Sequence, residues 1–510
     1  MVGVDSTIVN VALPSMQRSL HASVAGLQWV VDAYLLVLAS AMLLAGSTGD
    51  RLGRRRMFQV GLVLFTAGSA ACSLAQGVGA LVAFRMLQAV GGSMLNPNSL
   101  SIISNVFSDQ RERAQAIGIW GGVFGVSAAS GPILGGLLVD SVGWRAVFWV
   151  NVPVGIAALV LAARFVPESR APARRRVDLA GQALMVAGLA SLTYAIIEGP
   201  SDGWTSATTV SLLSAGALSL AAFLVAERRA REPLVDPRFF KSAPVSGAVA
   251  VAVLVFTVLA GFLFLNTLYL QDVRGDSALL AGIATLPMTA ALAVVAPLSG
   301  RVIARRGARR PLVASGLLVA AGAAVLAGVT PATPYVDLAL AYVLIGVGLG
   351  LVNPAITNTA VAGMPRSQAG VASGISSASR QVGSALGVAA LGSIAASRFH
   401  DALLAAAPSA GLSAAGAGRL ARLGVGARLA GAGRGSPLRA LVDRSFALGT
   451  HDSWWLALAC GIGVAVAGLV TTGRRGLASA ERAAELLGAD RPVGAGAARR
   501  AAALSPSSRS

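Results

Sequence analysis

Runs of roughly 20 mostly apolar residues, broken by short polar stretches, recur from the first residue to about residue 472. A helix crossing the hydrocarbon core of a bilayer needs about 20 such residues. Lipid offers the backbone no hydrogen-bond partners, so apolar runs of this length read as spanning helices. Fourteen segments fit: 1–20, 27–46, 57–76, 80–103, 114–138, 146–165, 179–198, 206–226, 246–270, 279–299, 311–330, 335–360, 370–396 and 453–472. An even count puts both termini on one side.

The polar stretches carry the orientation. Arginine fills every second loop: Arg51, Arg54, Arg55 and Arg56 after the second segment, then Arg111 and Arg113, then Arg170 and Arg174 to Arg176, then Arg228, Arg229, Arg231, Arg238 and Lys241, and after the tenth Arg301, Arg305, Arg306, Arg309 and Arg310. The loops between, such as "QGVG" at 76–79, are nearly bare. Basic loops stay in the cytoplasm, so both termini are expected there. Residues 397–452 form a long outer loop that reads as poorly ordered or loosely helical, and 473–510 as a disordered cytoplasmic tail.

Charged residues make up only 12% of the 510 and mean hydropathy is +0.71. A soluble domain carries about 25% charged residues, so the chain is an all-α integral membrane protein with no separate soluble domain. The net charge of +19 belongs to the loop arginines, so nucleic acid is not expected as a partner. Cys72 and Cys460 lie in apolar segments, and His21, His400 and His451 are far apart, so neither a disulfide framework nor a metal site is readable. No phosphate-binding GxxxxGK[ST] loop occurs, and no nucleophile–base set. An enzyme, a bound cofactor and ATP-driven transport are therefore not expected.

The chain echoes itself. "GSTGDRLGRRR" at 46–56 matches "GRVIARRGARR" at 300–310, and "GGSMLNP" at 91–97 matches "GLGLVNP" at 348–354. The two pairs lie at nearly equal separations, which suggests duplicated halves: 1–166 and 241–472, with two linking helices in 167–240. Transporters commonly place a binding site near the midplane between such halves.

These motifs, with "RMLQAVGGSMLNP" in the fourth segment and "GVFGVSAASGPILGG" in the fifth, resemble the signatures of the major facilitator superfamily. "VDSTIVNVALP", "WVVDAYLL" and "WRAVFWVNVPVG" resemble its fourteen-helix drug:proton antiporter branch. The resemblance implies a 6+2+6 arrangement of 14 transmembrane helices in a bacterial inner (cytoplasmic) membrane. It also implies proton-driven export of small amphipathic or cationic drugs, with the proton gradient in place of a cofactor. A dedicated exporter of one endogenous metabolite (an antibiotic, siderophore or lipid precursor) is the alternative. A monomer in the lipid bilayer is expected to suffice.

The residues carry their own chemistry. Arg85 stands in the apolar run "ALVAFRMLQAV". An intramembrane arginine costs at least about 2.5–3.5 kcal/mol and is normally retained for function; a snorkelling arginine is the other reading. Asp5 is the carboxylate that the resemblance links with Arg85 to proton coupling. Only four residues precede it, so Asp5 falls either at a helix start on the surface or within a first helix whose natural start lies further upstream; the second is expected. In the loop "GDRLGRRR", Gly46 and Gly53 are expected to permit a tight turn. Asp50 with Arg51, Arg54 and Arg55 is expected to form charge-assisted pairs that open and close. Gly121/Gly125 and Gly131/Gly135 are small-xxx-small pairs for close helix packing, joined by Pro132 and Gly136 in the motif that the resemblance links to antiport. Candidates for the substrate cavity are Asn10, Asp32, Gln88, Asn96, Asn266, Gln271, Asn353 and Arg380. Asp32 either lines the outer vestibule or is a solvated interface residue.

Overall fold

The computed structural model describes residues 1–107, 109–170, 178–230, 236–364, 369–408, 412–423 and 436–473, with positions 476, 478–480, 482 and 483. The arginines at 174–176 and 231 and nearly all of the tail lie outside these residues. The described chain is helical throughout, with no strand among the described residues. The first half comprises α1 (Val2–Leu20), α2 (Val24–Leu52), α3 (Arg54–Ser73), α4 (Val78–Val106), α5 (Gln110–Ser141), α6 (Ala146–Trp149) and α7 (Asn151–Phe165). Then come α8 (Leu179–Asp202) and α9 (Ala207–Arg229). The second half comprises α10 (Ala243–Leu268), α11 (Ala278–Ala284), α12 (Leu286–Arg306), α13 (Arg309–Ala327), α14 (Tyr335–Ala362), α15 (Ala369–Ala406), α16 (Ala414–Leu423) and α17 (Pro437–Thr471).

Twelve helical stretches among the described residues are long and apolar enough to cross a membrane. The count expected from the sequence was fourteen, and α1 and α3 fall outside the twelve. α1 carries Asp5, Asn10, Gln17 and Arg18, and α3 opens on three arginines, which lowers the mean hydropathy of each. Local chemistry ends the helices where the sequence changes. Ser23, Asp178, Ser206, Ser277 and Ser436 cap helix starts by accepting a backbone N–H three residues on. Gly53 (φ 117°) and its repeat counterpart Gly307 (φ 75°) make the two basic turns, a backbone region costly for any residue with a Cβ. Gly46 lies inside α2, six residues before its end, so it takes no part in that turn.

The two halves are joined at the arginine-poor end. Gln28 of α2 donates to the Val388 and Ala389 carbonyls of α15 (2.9 and 3.1 Å). Gln271 donates to the Val11 carbonyl (2.8 Å), and the Asp140 carboxylate accepts the N–H groups of Ala278 and Leu279. Arg18 of α1 pairs with Asp272 at 3.2 Å. At the basic end much of α5 is exposed (Gln115, Ile117, Gly118, Ile119 and Gly121 to Val123), with Trp120 donating to Ser99 of α4 at 3.2 Å, whereas Gly131, Pro132, Gly135 and Gly136 are buried. Helix α8 packs on α2 and α15 together, so it bridges the halves on one flank.

The predicted outer loop is largely helix. α15 runs on to Ala406 and α17 begins at Pro437, with α16 between. Phe399 and Phe446 meet edge to face at 6.0 Å, and Arg398 pairs with Asp452 at 2.5 Å. The alternation of Ala, Leu and Arg hid two helix extensions that pack on each other.

Candidate functional site

Asp5 is wholly buried, 0% exposed, and Arg85 is 2% exposed. They form an ion pair at 2.6 Å, from Arg85 Nη1 to Asp5 Oδ2. α1 and α4 supply the charges, and their neighbours complete the set. Gln88, one turn on from Arg85, accepts from Arg85 Nη1 (2.7 Å) and donates to Asp5 Oδ1 (2.8 Å) and Ser69 Oγ (2.9 Å). Asn151 at the start of α7 donates to the same Asp5 oxygen (3.2 Å) and to Ser69 (3.1 Å). Arg85 Nε donates to the Val30 carbonyl at 3.2 Å, and its guanidinium lies 4.0 Å from the centre of the Tyr34 ring. Both carboxylate oxygens are thus satisfied, a condition for a buried ion pair to persist against its desolvation cost. Gln88 was expected in the substrate cavity; it belongs to this cluster. The surface reading of Asp5 and the snorkelling reading of Arg85 both fail, because α2, α3 and α7 close around them. Sequence reasoning assigned no role to Ser69, Tyr34 or Asn151; a polar residue facing a carboxylate across helices leaves no mark in linear spacing.

The repeat-related place of Arg85 is Tyr342, whose hydroxyl donates to Asn266 Oδ1 at 2.5 Å. The second half therefore has a neutral hydrogen bond where the first has an ion pair, and Asn266 (4% exposed) is held in the core.

Asp32 contradicts both of its expected readings. It is 0% exposed, and neither carboxylate oxygen has a hydrogen-bond partner. It stands one turn on from Gln28, whose amide reaches α15. Asn10 donates to the Ser6 carbonyl of its own helix, and its Oδ1 is buried without a partner. Asn353 likewise turns to its own helix, to the Leu349 carbonyl. Asn96 is half-buried beside Pro97, which faces Gly46 of α2. Gln271 ties the halves together at Val11. Arg380 reaches Thr357 Oγ1 of α14 at 2.8 Å.

In the basic turn, Asp50 pairs with Arg54 alone among the described residues (2.8 Å, four residues on). Arg51 is exposed, and Arg55 donates to the Ala163 carbonyl and, through its backbone, to Glu168. The expected Asp50 cluster is therefore split, and Glu168 instead lies 3.7 Å from Arg56.

The glycine motif of α5 also divides. Thr7 of α1 donates to the Ala128 carbonyl at 3.0 Å, and a Cβ on Gly135 would fall 2.8 Å from Ile8 Cγ1. A Cβ on Gly136 would fall 2.6 Å from Leu279 Cα of the other half. Gly121 and Gly125, expected to pack closely, would meet nothing within 4 Å.

The Arg18–Asp272 bridge joins the halves with Arg18 partly exposed, 37% of its side chain. Asp272 is buried (3% of its side chain exposed) while Arg18 reaches solvent, so breaking the pair costs less than the about 3–5 kcal/mol of a fully buried one. Asp272→Asn is therefore expected to raise maleimide labelling of a cysteine placed at Val11 only a few-fold, in a background lacking Cys72 and Cys460. No change in labelling would show that this bridge does not hold the end shut.

The family model described as Major Facilitator Superfamily matches residues 1–388. The chain is 41% identical over 397 residues to "Multidrug resistance protein Stp" of Mycobacterium tuberculosis (strain CDC 1551 / Oshkosh), covering 77% of this chain and 73% of the relative. It is 42% identical over 402 residues to "Tetracenomycin C resistance and export protein" of Streptomyces glaucescens, covering 79% and 74%. It is 33% identical over 394 residues to "Methylenomycin A resistance protein" of Streptomyces coelicolor (strain ATCC BAA-471 / A3(2) / M145), covering 77% and 82%. Among solved structures, a bacterial homolog of the human lysosomal transporter Spinster, inward-facing and unoccupied, superposes with a TM-score of 0.60 at 20% identity, over 94% of both chains.

Proposed function

From the premise that the chain belongs to the major facilitator superfamily and is a multi-pass membrane transporter related to drug and antibiotic efflux proteins, we propose that it is a proton-coupled antiporter. It exports amphipathic drugs or antibiotics across the cytoplasmic membrane. The carrying observation is the wholly buried Asp5–Arg85 pair. The carboxylate there faces a guanidinium and is closed off from solvent. Protonating it removes one partner of Arg85 and leaves three: Gln88 Oε1, the Val30 carbonyl and the Tyr34 ring. The arginine keeps these contacts but loses its counter-charge, so the protonated state is the higher in energy and the site cycles between two charge states as the halves rock.

In this reading the architecture is 6+2+6, with fourteen helices in the bilayer and both termini in the cytoplasm. The halves are 1–166 and 241–472, and 167–240 links them. The arginine-poor end is the outer one, so the conformer is closed outward and open to the cytoplasm, ready to take up substrate. Asp50 with Arg54 gates the basic end. A monomer completes the cycle, with the proton gradient as its energy source.

The test is dye efflux from bacterial cells lacking their own pumps, with ethidium and carboxyfluorescein as probes of opposite charge. Efflux of either dye that an uncoupler stops supports the proposal. Efflux of neither dye, with the protein well expressed, moves the reading to a dedicated exporter of one metabolite. Relatives named for single antibiotics favour that second reading.

A further inference from the structure

Arg380 stands on α15 eleven residues in from Ala369, about 17 Å along the helix at 1.5 Å per residue. It thus lies within the apolar helical stretch Gly374–Ala406. Its Nη2 donates to Thr357 Oγ1 (2.8 Å) and approaches the Asn353 carbonyl (3.5 Å), while its Nε is buried with no acceptor. The Phe256 ring of α10 lies 5.7 Å from the guanidinium carbon. Arg380, Phe256, Asn353 and Thr357 are all half-buried, so the group borders accessible space rather than the packed core.

What this arginine lacks is a counter-charge. Among the described residues no carboxylate lies within ion-pair distance of it. α10 carries no charged residue, and on α14 only Asp337 is charged, in the first turn at the other end. Elsewhere on α15, Arg398, His400 and Asp401 lie toward its far end. In the first half Asp5 is taken by Arg85, and Asp32 makes no hydrogen bond to any group. An arginine inside the bilayer is costly unless paired, and its planar fork matches a carboxylate or a phosphate group in bidentate fashion.

We infer that Arg380 is the substrate-side charge of the exporter, and that it recognises the carboxylate of an aromatic, anionic small molecule whose ring lies against Phe256. The inference rests on the transport reading above and narrows it. Thr357 and the Asn353 carbonyl hold Nη2 and fix the guanidinium, leaving Nε without an acceptor. A ring on the ligand completes an aromatic layer with the guanidinium, as cation–π geometry favours. Gly383, one turn on from Arg380, lets α15 and α10 approach closely: a Cβ there would fall 2.8 Å from Val253 Cα. The Phe256 and Arg380 side chains are thereby held on neighbouring surfaces.

The test is equilibrium binding to the purified full-length protein, read by fluorescence anisotropy. Two xanthene dyes of like size and opposite charge serve as probes: anionic carboxyfluorescein and cationic rhodamine 123. Wild type is expected to bind carboxyfluorescein at least tenfold more tightly. Arg380→Gln is expected to lower the anion-to-cation affinity ratio at least tenfold, and Arg380→Lys to restore part of it. Thermal unfolding of each variant separates a folding defect from a lost contact, and the lysine variant keeps the charge where glutamine fails to fold. Equal affinity of wild type for both dyes, no binding of carboxyfluorescein, or a ratio unchanged by Arg380→Gln overturns the inference. Anion binding through Arg380 without any dye efflux from cells upholds this site and moves the export reading to a dedicated exporter of one metabolite.

Discussion

Asp5→Asn is expected to abolish gradient-driven efflux and to destabilise the protein, whereas Asp5→Asn combined with Arg85→Gln is expected to regain stability without regaining efflux. The single substitution leaves a guanidinium buried without its carboxylate. Removing one partner of a buried pair costs about 3–5 kcal/mol, while replacing both charges is often neutral. The neutral pair can still hydrogen-bond: Gln88 and Asn151 face the Asp5 position, and the Val30 carbonyl faces the Arg85 position. Thermal unfolding of the purified variants, read beside uncoupler-sensitive dye efflux, checks both halves of the expectation. A double variant as unstable as the single one would show that the ion pair holds the helices together by contacts other than charge. Efflux by the double variant at the wild-type rate would remove the pair from the coupling step.

The second large effect is expected at Gly136. α5 meets α11 across the two halves there, and a Cβ would stand 2.6 Å from Leu279 Cα. On the facing side, a Cβ on Gly282 would stand 2.8 Å from the Pro132 carbonyl carbon. Neither backbone can yield as a flexible side chain would. Overpacking costs about 1–3 kcal/mol, and placed on one conformer it shifts the closed-to-open balance roughly 5- to 150-fold. Gly136→Leu is therefore expected to hold the arginine-poor end apart, to raise labelling of a cysteine at Val11 by at least tenfold, and to lower efflux by a similar factor. Gly121→Ala meets nothing within 4 Å in this conformer, so its labelling is expected to stay at the parent value. Equal effects of the two substitutions would mean that the α5–α11 contact is not the closing surface.

These two sites differ in how far the sequence revealed them. Asp5 and Arg85 stand out because a charge inside an apolar run is costly, so each is legible alone. Their partnership is not legible from spacing: Arg85 reaches Asp5 across eighty positions, and Ser69 and Asn151 join from two other helices. Helix packing brings those residues together, and amphipathic periodicity does not encode which faces meet. The glycines of α5 show another limit. Their spacing marks a surface fit for close approach, yet only Gly131, Gly135 and Gly136 are covered in this conformer, while Gly121 and Gly125 stand open. A sequence states that a helix can pack closely and leaves open in which state it does.

Composition limits what the sequence says of the helix count and of the outer segment. α1 and α3 are helices of spanning length that carry too many polar residues to be counted by hydropathy alone. Residues 397–452 look like filler because Ala, Gly and Arg alternate, yet Arg398 with Asp452 and Phe399 with Phe446 pin two helix extensions to each other. Asp32 is the sharpest departure. A carboxylate near the predicted start of a span suggested contact with water, and the α2–α15 contact at Gln28 leaves it enclosed.

The central claim is that drug export is exchanged for protons at Asp5, and reconstitution tests it most directly. Purified wild type and Asp5→Asn would be placed in phospholipid vesicles with an imposed pH gradient, and dye movement followed together with internal pH. The account predicts uphill dye movement in wild-type vesicles that dissipates the gradient and stops when the gradient is collapsed, and no uphill movement with Asp5→Asn. Uphill movement at the wild-type rate in Asp5→Asn vesicles, or wild-type movement indifferent to the gradient, would contradict it.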